Sequence, residues 1–121
     1  MTTNEGMRTR REVLGDAHVD RAIENTTEFT APFQGFITRY AWGEVWSRPG
    51  LTRAERSIIT LTALATLRQD EELALHVKAA TRNGLTPEQI REVLLQVAVY
   101  AGVPAANRAF AVAAEALQSL P

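Results

Sequence analysis

A chain of 121 residues, 45% hydrophobic and 22% charged, suffices for one domain and leaves no room for a dinucleotide-binding domain with a catalytic partner. Thirteen basic and fourteen acidic residues give a formal net charge of -1, which makes nucleic acid a poor default partner, because that role usually needs a concentrated basic face. With no cysteine, disulfides, thiolate nucleophiles and thiolate-held metals are excluded, and two histidines, His18 and His76, cannot form a His-rich metal site.

Residues 1–15 are polar, lack the apolar core of a secretory signal, and read as a loosely ordered arm. A single helical domain over 16–121 follows. Its first helix is expected from Asp16 to Asn25, with Ala17, Val19 and Ile23 as its apolar content. Thr30-Ala31-Pro32 is a start signal: a capping hydroxyl, then proline in the first turn, where its missing N–H does no harm. Phe33, Phe36, Ile37, Tyr40, Ala41 and Val45 continue at helical spacing until Ser47-Arg48-Pro49-Gly50.

Thr52 and Glu55 fit a capping box for the next helix, whose run Ile58 to Leu67 is apolar around most of its circumference. Asp70 is the expected cap of a helix through Leu73, His76, Val77 and Ala80, closed by Asn83-Gly84. Thr86-Pro87-Glu88-Gln89 opens another, carrying Ile90, Val93, Leu94 and Val97. Gly102-Val103-Pro104 separates it from an alanine-rich last helix. No alternating strand series interrupts this pattern, so the fold class is all-α. No apolar run reaches the roughly 18 residues of a membrane span, and the expectation is a soluble, cytoplasmic protein. Six short helices have many faces to cover, and the helices at 33–46 and 58–67 are expected to bury area against another subunit.

His76 is the first candidate for chemistry, because imidazole exchanges a proton or donates a hydrogen bond near neutrality. Glu72, four residues earlier on the same helix face, could orient it. The plain alternative is a histidine that packs and hydrogen-bonds. Glu55 is either a helix cap or an acid–base group facing a pocket. Arg39 and Arg56 either grip a substrate carboxylate through their forked donors or form rim salt bridges. Trp42 and Trp46, one turn apart, make an aromatic wall for a ligand or for packing. His18 has no assigned role. Two ligands from Glu72 and His76 do not make a metal site, and no glycine-rich phosphate loop follows a strand.

The segments Arg10-Arg11-Glu12-Val13-Leu14-Gly15-Asp16-Ala17-His18-Val19-Asp20-Arg21, Ile37-Thr38-Arg39-Tyr40-Ala41-Trp42-Gly43-Glu44-Val45-Trp46, Arg48-Pro49-Gly50-Leu51, Asp70-Glu71-Glu72-Leu73 and Val99-Tyr100-Ala101-Gly102-Val103-Pro104-Ala105-Ala106-Asn107 carry a resemblance. The chain closely resembles the gamma-carboxymuconolactone decarboxylase family from about Met7 to Glu115. The wider superfamily includes alkylhydroperoxidase-like proteins with a reactive Cys-x-x-Cys-x-x-x-His helix. Here Gln69 and Glu72 stand at the cysteine places and His76 at the histidine place, so thiol redox chemistry is removed. Glu55 falls at the superfamily's buried glutamate position.

The resemblance implies an all-helical fold assembled as a homotrimer or homohexamer. It also implies cofactor-free decarboxylation of gamma-carboxymuconolactone, a small dicarboxylate lactone, to beta-ketoadipate enol-lactone in protocatechuate catabolism. On that reading Arg39 and Arg56 hold carboxylates, His76 donates to the lactone oxygen or delivers the proton, Glu72 sets its orientation, and Glu55 shares proton delivery. A decarboxylase or isomerase for another enolisable lactone or cyclic acid, or a non-catalytic oligomeric binding protein, is the alternative.

Overall fold

The computed structural model describes residues 2–121, and every element among them is helical. They divide into two compact units, one ending at Thr52 and one spanning Arg53–Pro121.

The first unit holds α1 (Thr2–Leu14), α2 (Asp16–Glu24) and α3 (Ala31–Ile37), the last continuing directly into a π-helical segment, Thr38–Trp46. The expected loose arm is therefore a helix. Its polar sequence conceals an inward face: Thr9, Arg10, Val13 and Leu14 are buried, and Val13 has no exposed surface. Polar residues can line a buried face when partners satisfy them, and those partners come from residues 34–47, far along the chain. Arg10 donates through Nη1 to Thr38 Oγ1 at 3.2 Å and through Nη2 to Gln34 Oε1 at 3.0 Å. The hydroxyls of Thr9 and Ser47 lie 2.8 Å apart.

Two details of this unit differ from the sequence expectation. Thr30 precedes α3 as expected but makes no side-chain cap; its hydroxyl instead accepts the Thr27 N–H at 2.9 Å, within the preceding turn. The continuous α-helix expected over 33–46 changes to π-helix from Thr38 onward. Apolar periodicity cannot register the change, because the deviation lies in the hydrogen-bond ladder.

The second unit packs α4 (Arg53–Thr66), α5 (Asp70–Arg82), α6 (Pro87–Ala101) and α7 (Val103–Gln118) around a core of Leu61, Leu73, Val77, Ile90 and Leu94. Full burial of side chains of this size contributes about 1.5–3 kcal/mol each. Ala105, Ala106, Ala109, Ala113 and Ala116 form a buried small-residue face on α7 that admits close helix approach. Thr86 opens α6 with a complete capping box: its hydroxyl accepts the Gln89 N–H, and Gln89 Oε1 accepts the Thr86 N–H.

Asp70 does not cap α5. Gln69 occupies that position without a side-chain bond, and Asp70 instead accepts Arg108 Nε at 2.8 Å, joining the start of α5 to α7. Between α4 and α5, Arg68 takes a left-handed conformation (φ 56) while Gln69 N–H bonds back to Leu64 O. Gly84 does the same after α5 (φ 105), with Leu85 N–H bonded to Ala80 O. Both are left-handed helix ends closed by a six-to-one bond, but only Gly84 lacks the Cβ that makes the conformation costly. An Arg68→Gly protein should therefore be more stable by about 0.5–1 kcal/mol, once the extra chain entropy of glycine is deducted. Urea unfolding checks this, and a destabilised variant would mean that the arginine side chain holds the turn.

Candidate active site

Among the sequence candidates, the structure brings Glu72 and His76 together. Both lie on α5, whose other face carries Leu73, Val77 and Ala80 into the core. The four-residue spacing sets the two side chains one above the other, with His76 Nε2 3.9 Å from Glu72 Oε2. The imidazole side chain is only 10% exposed and the carboxylate 60%. His76 Nδ1 is buried, so the outer nitrogen, Nε2, is the one beside the carboxylate. At 3.9 Å the pair is beyond direct hydrogen-bond length, and a substrate oxygen or a water reaching Nε2 would arrive beside Glu72.

Glu55 and Arg56 occupy the first turn of α4. Glu55 is exposed in the single chain, on the side of the first turn away from Leu61. Arg56 is half-buried, with Nε enclosed. A further pair escaped sequence reading. Ser57, with 1% exposure, accepts Asn83 Nδ2 at 2.9 Å. This bond ties the first turn of α4 to the end of α5 and so fixes Glu55 and Arg56 against the helix that carries His76. Asn83-Gly84 reads in sequence only as a stop signal, and its partner lies 26 positions away.

Arg39, Trp42 and Trp46 lie on the π-helical segment of the first unit. Trp42 is buried and stacks on Trp46 with ring centroids 5.2 Å apart and planes 27° from parallel. Arg39 is exposed, and its guanidinium lies against Gly35 one turn back, where a Cβ would sit 3.3 Å from Nη1. His18 is half-buried on α2.

Opposite the His76 face, α5 borders a cleft of about 310 Å³ shared with α7 and rimmed by Asp70, Glu71, Lys78, Arg108 and Glu115. Lys78 is two residues from His76, which on an α-helix places it on the far side. Among the described residues no group of three or more histidine, cysteine, aspartate or glutamate side chains could hold a metal ion, and no helix is long and apolar enough to cross a membrane.

A helical chain that presents an imidazole and a carboxylate one turn apart, with no cysteine, carries acid–base rather than thiol groups. The chain belongs to the Carboxymuconolactone decarboxylase family, whose profile matches residues 31–115. It is 46% identical over 116 residues to a 4-carboxymuconolactone decarboxylase of Acinetobacter baylyi, covering 96% of this chain and 87% of that protein. It is 42% identical over 117 residues to a nitrosuccinic acid decarboxylase of Metarhizium robertsii, covering 97% and 82%. A 39-residue stretch, 32% of this chain and 81% of the relative's sequence, is 56% identical to a 4-carboxymuconolactone decarboxylase of Pseudomonas putida.

Proposed function

We propose that the protein decarboxylates gamma-carboxymuconolactone to beta-ketoadipate enol-lactone, without a cofactor, as a step of protocatechuate catabolism. The observation that carries this reading is the near-full-length similarity to the Acinetobacter decarboxylase. On this reading the Glu72–His76 pair supplies the acid for the reaction.

The substrate contains its own electron sink. The departing carboxylate sits on the ring carbon joined through a carbon–carbon double bond to the lactone carbonyl. When its carbon–carbon bond breaks, carbon dioxide leaves and the electron pair moves through the ring onto the carbonyl oxygen. The resulting furanolate-like dienolate takes one proton at the carbon alpha to the carbonyl, giving the enol-lactone. The protein must hold a dianion, stabilise the developing oxyanion and deliver that proton. His76 is assigned the oxyanion contact or proton delivery, a kind of donor worth roughly 2.7–4 kcal/mol when well placed. Glu72 orients the imidazole, and Glu55 shares proton delivery from the start of α4. Arg56 and Arg39 hold carboxylates, and Trp42 with Trp46 contacts the ring.

Assembly as a homotrimer or homohexamer belongs to the same reading. Phe29, Phe33, Phe36 and Tyr40 are 92%, 61%, 51% and 52% exposed in the single chain, an apolar area of the kind that subunit contacts cover.

The similarity to the Metarhizium enzyme favours a second reading, a related decarboxylase for another activated dicarboxylic acid. A nitro group is an electron sink of the same kind as the lactone carbonyl. One assay separates the readings: chelator-treated protein with freshly generated gamma-carboxymuconolactone, and in parallel with nitrosuccinate, following carbon dioxide in both. Stoichiometric carbon dioxide and enol-lactone from the lactone support the first reading. Turnover of nitrosuccinate alone moves the assignment to the second. No release above the spontaneous rate from either, in an assembled sample, leaves a binding role.

A further inference from the structure

The π-helical segment Thr38–Trp46 is the least expected feature of the chain, and its sequence contains no proline or other local cause for it. The i→i+5 ladder is rare and is found mostly as single turns, so a nine-residue stretch needs support from outside the segment. That support is α1. Residues 6, 9 and 10 fall on one face of a helix, and all three meet the segment or the residues that end it.

At Gly6 an added Cβ would fall on the Thr38 carbonyl oxygen and lie 3.1 Å from the Gly43 amide nitrogen. Thr38 and Gly43 are five residues apart, the spacing of one π turn, so α1 rests directly on the backbone of that turn. At the entrance, Arg10 spans the junction between the two helix types. It donates to Gln34 on α3 and to Thr38 at the first π position, and Thr38 Oγ1 in turn donates to Gln34 O at 2.8 Å. At the exit, Ser47 Oγ donates to Trp42 O at 2.7 Å and is hydrogen-bonded to Thr9.

We infer that α1 is a clamp that selects the π register of Thr38–Trp46, and that Arg10 is a positioning residue for the Trp42–Trp46 ring pair and Arg39. The clamp stands on geometry alone; its effect on catalysis rests on the substrate contacts proposed above for Arg39 and the tryptophans. A π turn holds about one residue more than an α turn. Relaxation to the α ladder would therefore rotate Trp46 relative to Thr38 and change the angle at which the two rings meet.

Trp42 and Trp46 are the only tryptophans of the chain, so their coupled near-ultraviolet circular dichroism reports this segment without substrate. Arg10→Lys keeps the charge but loses the fork that reaches two acceptors. Thr38→Val removes one acceptor at nearly constant shape, and Thr38→Ser keeps it. In Arg10→Lys and Thr38→Val proteins with intact far-ultraviolet helicity, the coupled tryptophan signal should change in shape and amplitude. KM should rise about tenfold with kcat held within about threefold, the pattern of lost binding alone. Thr38→Ser should restore both. An unchanged tryptophan signal in folded Arg10→Lys and Thr38→Val overturns the clamp, whatever the activity. A changed signal with unchanged KM overturns the positioning role. If the unsubstituted protein turns over neither acid, the functional reading fails while the spectroscopic comparison still decides the clamp.

Discussion

A His76→Gln protein should fold and assemble normally yet lose about 10²–10⁴-fold in kcat, the range for removal of a positioned general acid. Glutamine keeps a hydrogen-bond donor at a similar reach but cannot transfer the proton, so the loss isolates proton delivery from simple polar contact. Glu72→Gln should cost far less, about tenfold or below. Its carboxylate is 60% exposed and 3.9 Å from Nε2, and a contact so open to water is weak. Steady-state kinetics on both proteins, with helicity and subunit mass verified, separates this arrangement from a histidine that only packs. Near-normal turnover of the His76→Gln protein would remove the imidazole from the reaction. An equal loss in the two variants would point instead to a pair that acts as one proton-sharing unit.

Gly6→Ala should destabilise the protein by about 2 kcal/mol, against the usual sign of such a change within a helix. Helix propensity alone favours alanine by about 0.8–1 kcal/mol. Here the new methyl would meet a backbone oxygen and a backbone nitrogen, neither of which can escape by a rotamer change. Overpacking of a close contact costs typically 1–3 kcal/mol, and a backbone-to-backbone overlap belongs at or above the top of that range. Denaturant unfolding followed by tryptophan emission reads the first unit directly. A more stable Gly6→Ala protein would show that α1 and the π segment are not in backbone contact in solution.

What the sequence disclosed, and what it concealed, follows from how far each signal reaches along the chain. The opening of α6 at Thr86 was legible because a capping box is complete within four residues. Glu72 and His76 were legible because a helix converts a four-residue spacing into neighbourhood. Arg10 was hidden, since nothing around it announces that Gln34 and Thr38 will accept its guanidinium 24 and 28 residues later. The π segment was hidden for the same reason: its cause lies on another helix. Asp70 misled because an acidic residue at a helix start fits both a cap and a salt bridge, and Arg108, 38 positions on, settled the choice. Arg68 gave no sign of its left-handed conformation, because that position usually carries glycine or asparagine.

Lys78 is the one lysine in a chain with twelve arginines, and it stands exposed on the cleft side of α5, away from His76. Amine-directed chemistry at alkaline pH therefore has one side-chain target, with the α-amino group as the other amine. A dye, crosslinker or surface linker attached there would leave the imidazole face untouched. Labelled protein should retain its turnover if the cleft stays open in the assembly, and protection of Lys78 from acylation would map that cleft to a subunit contact.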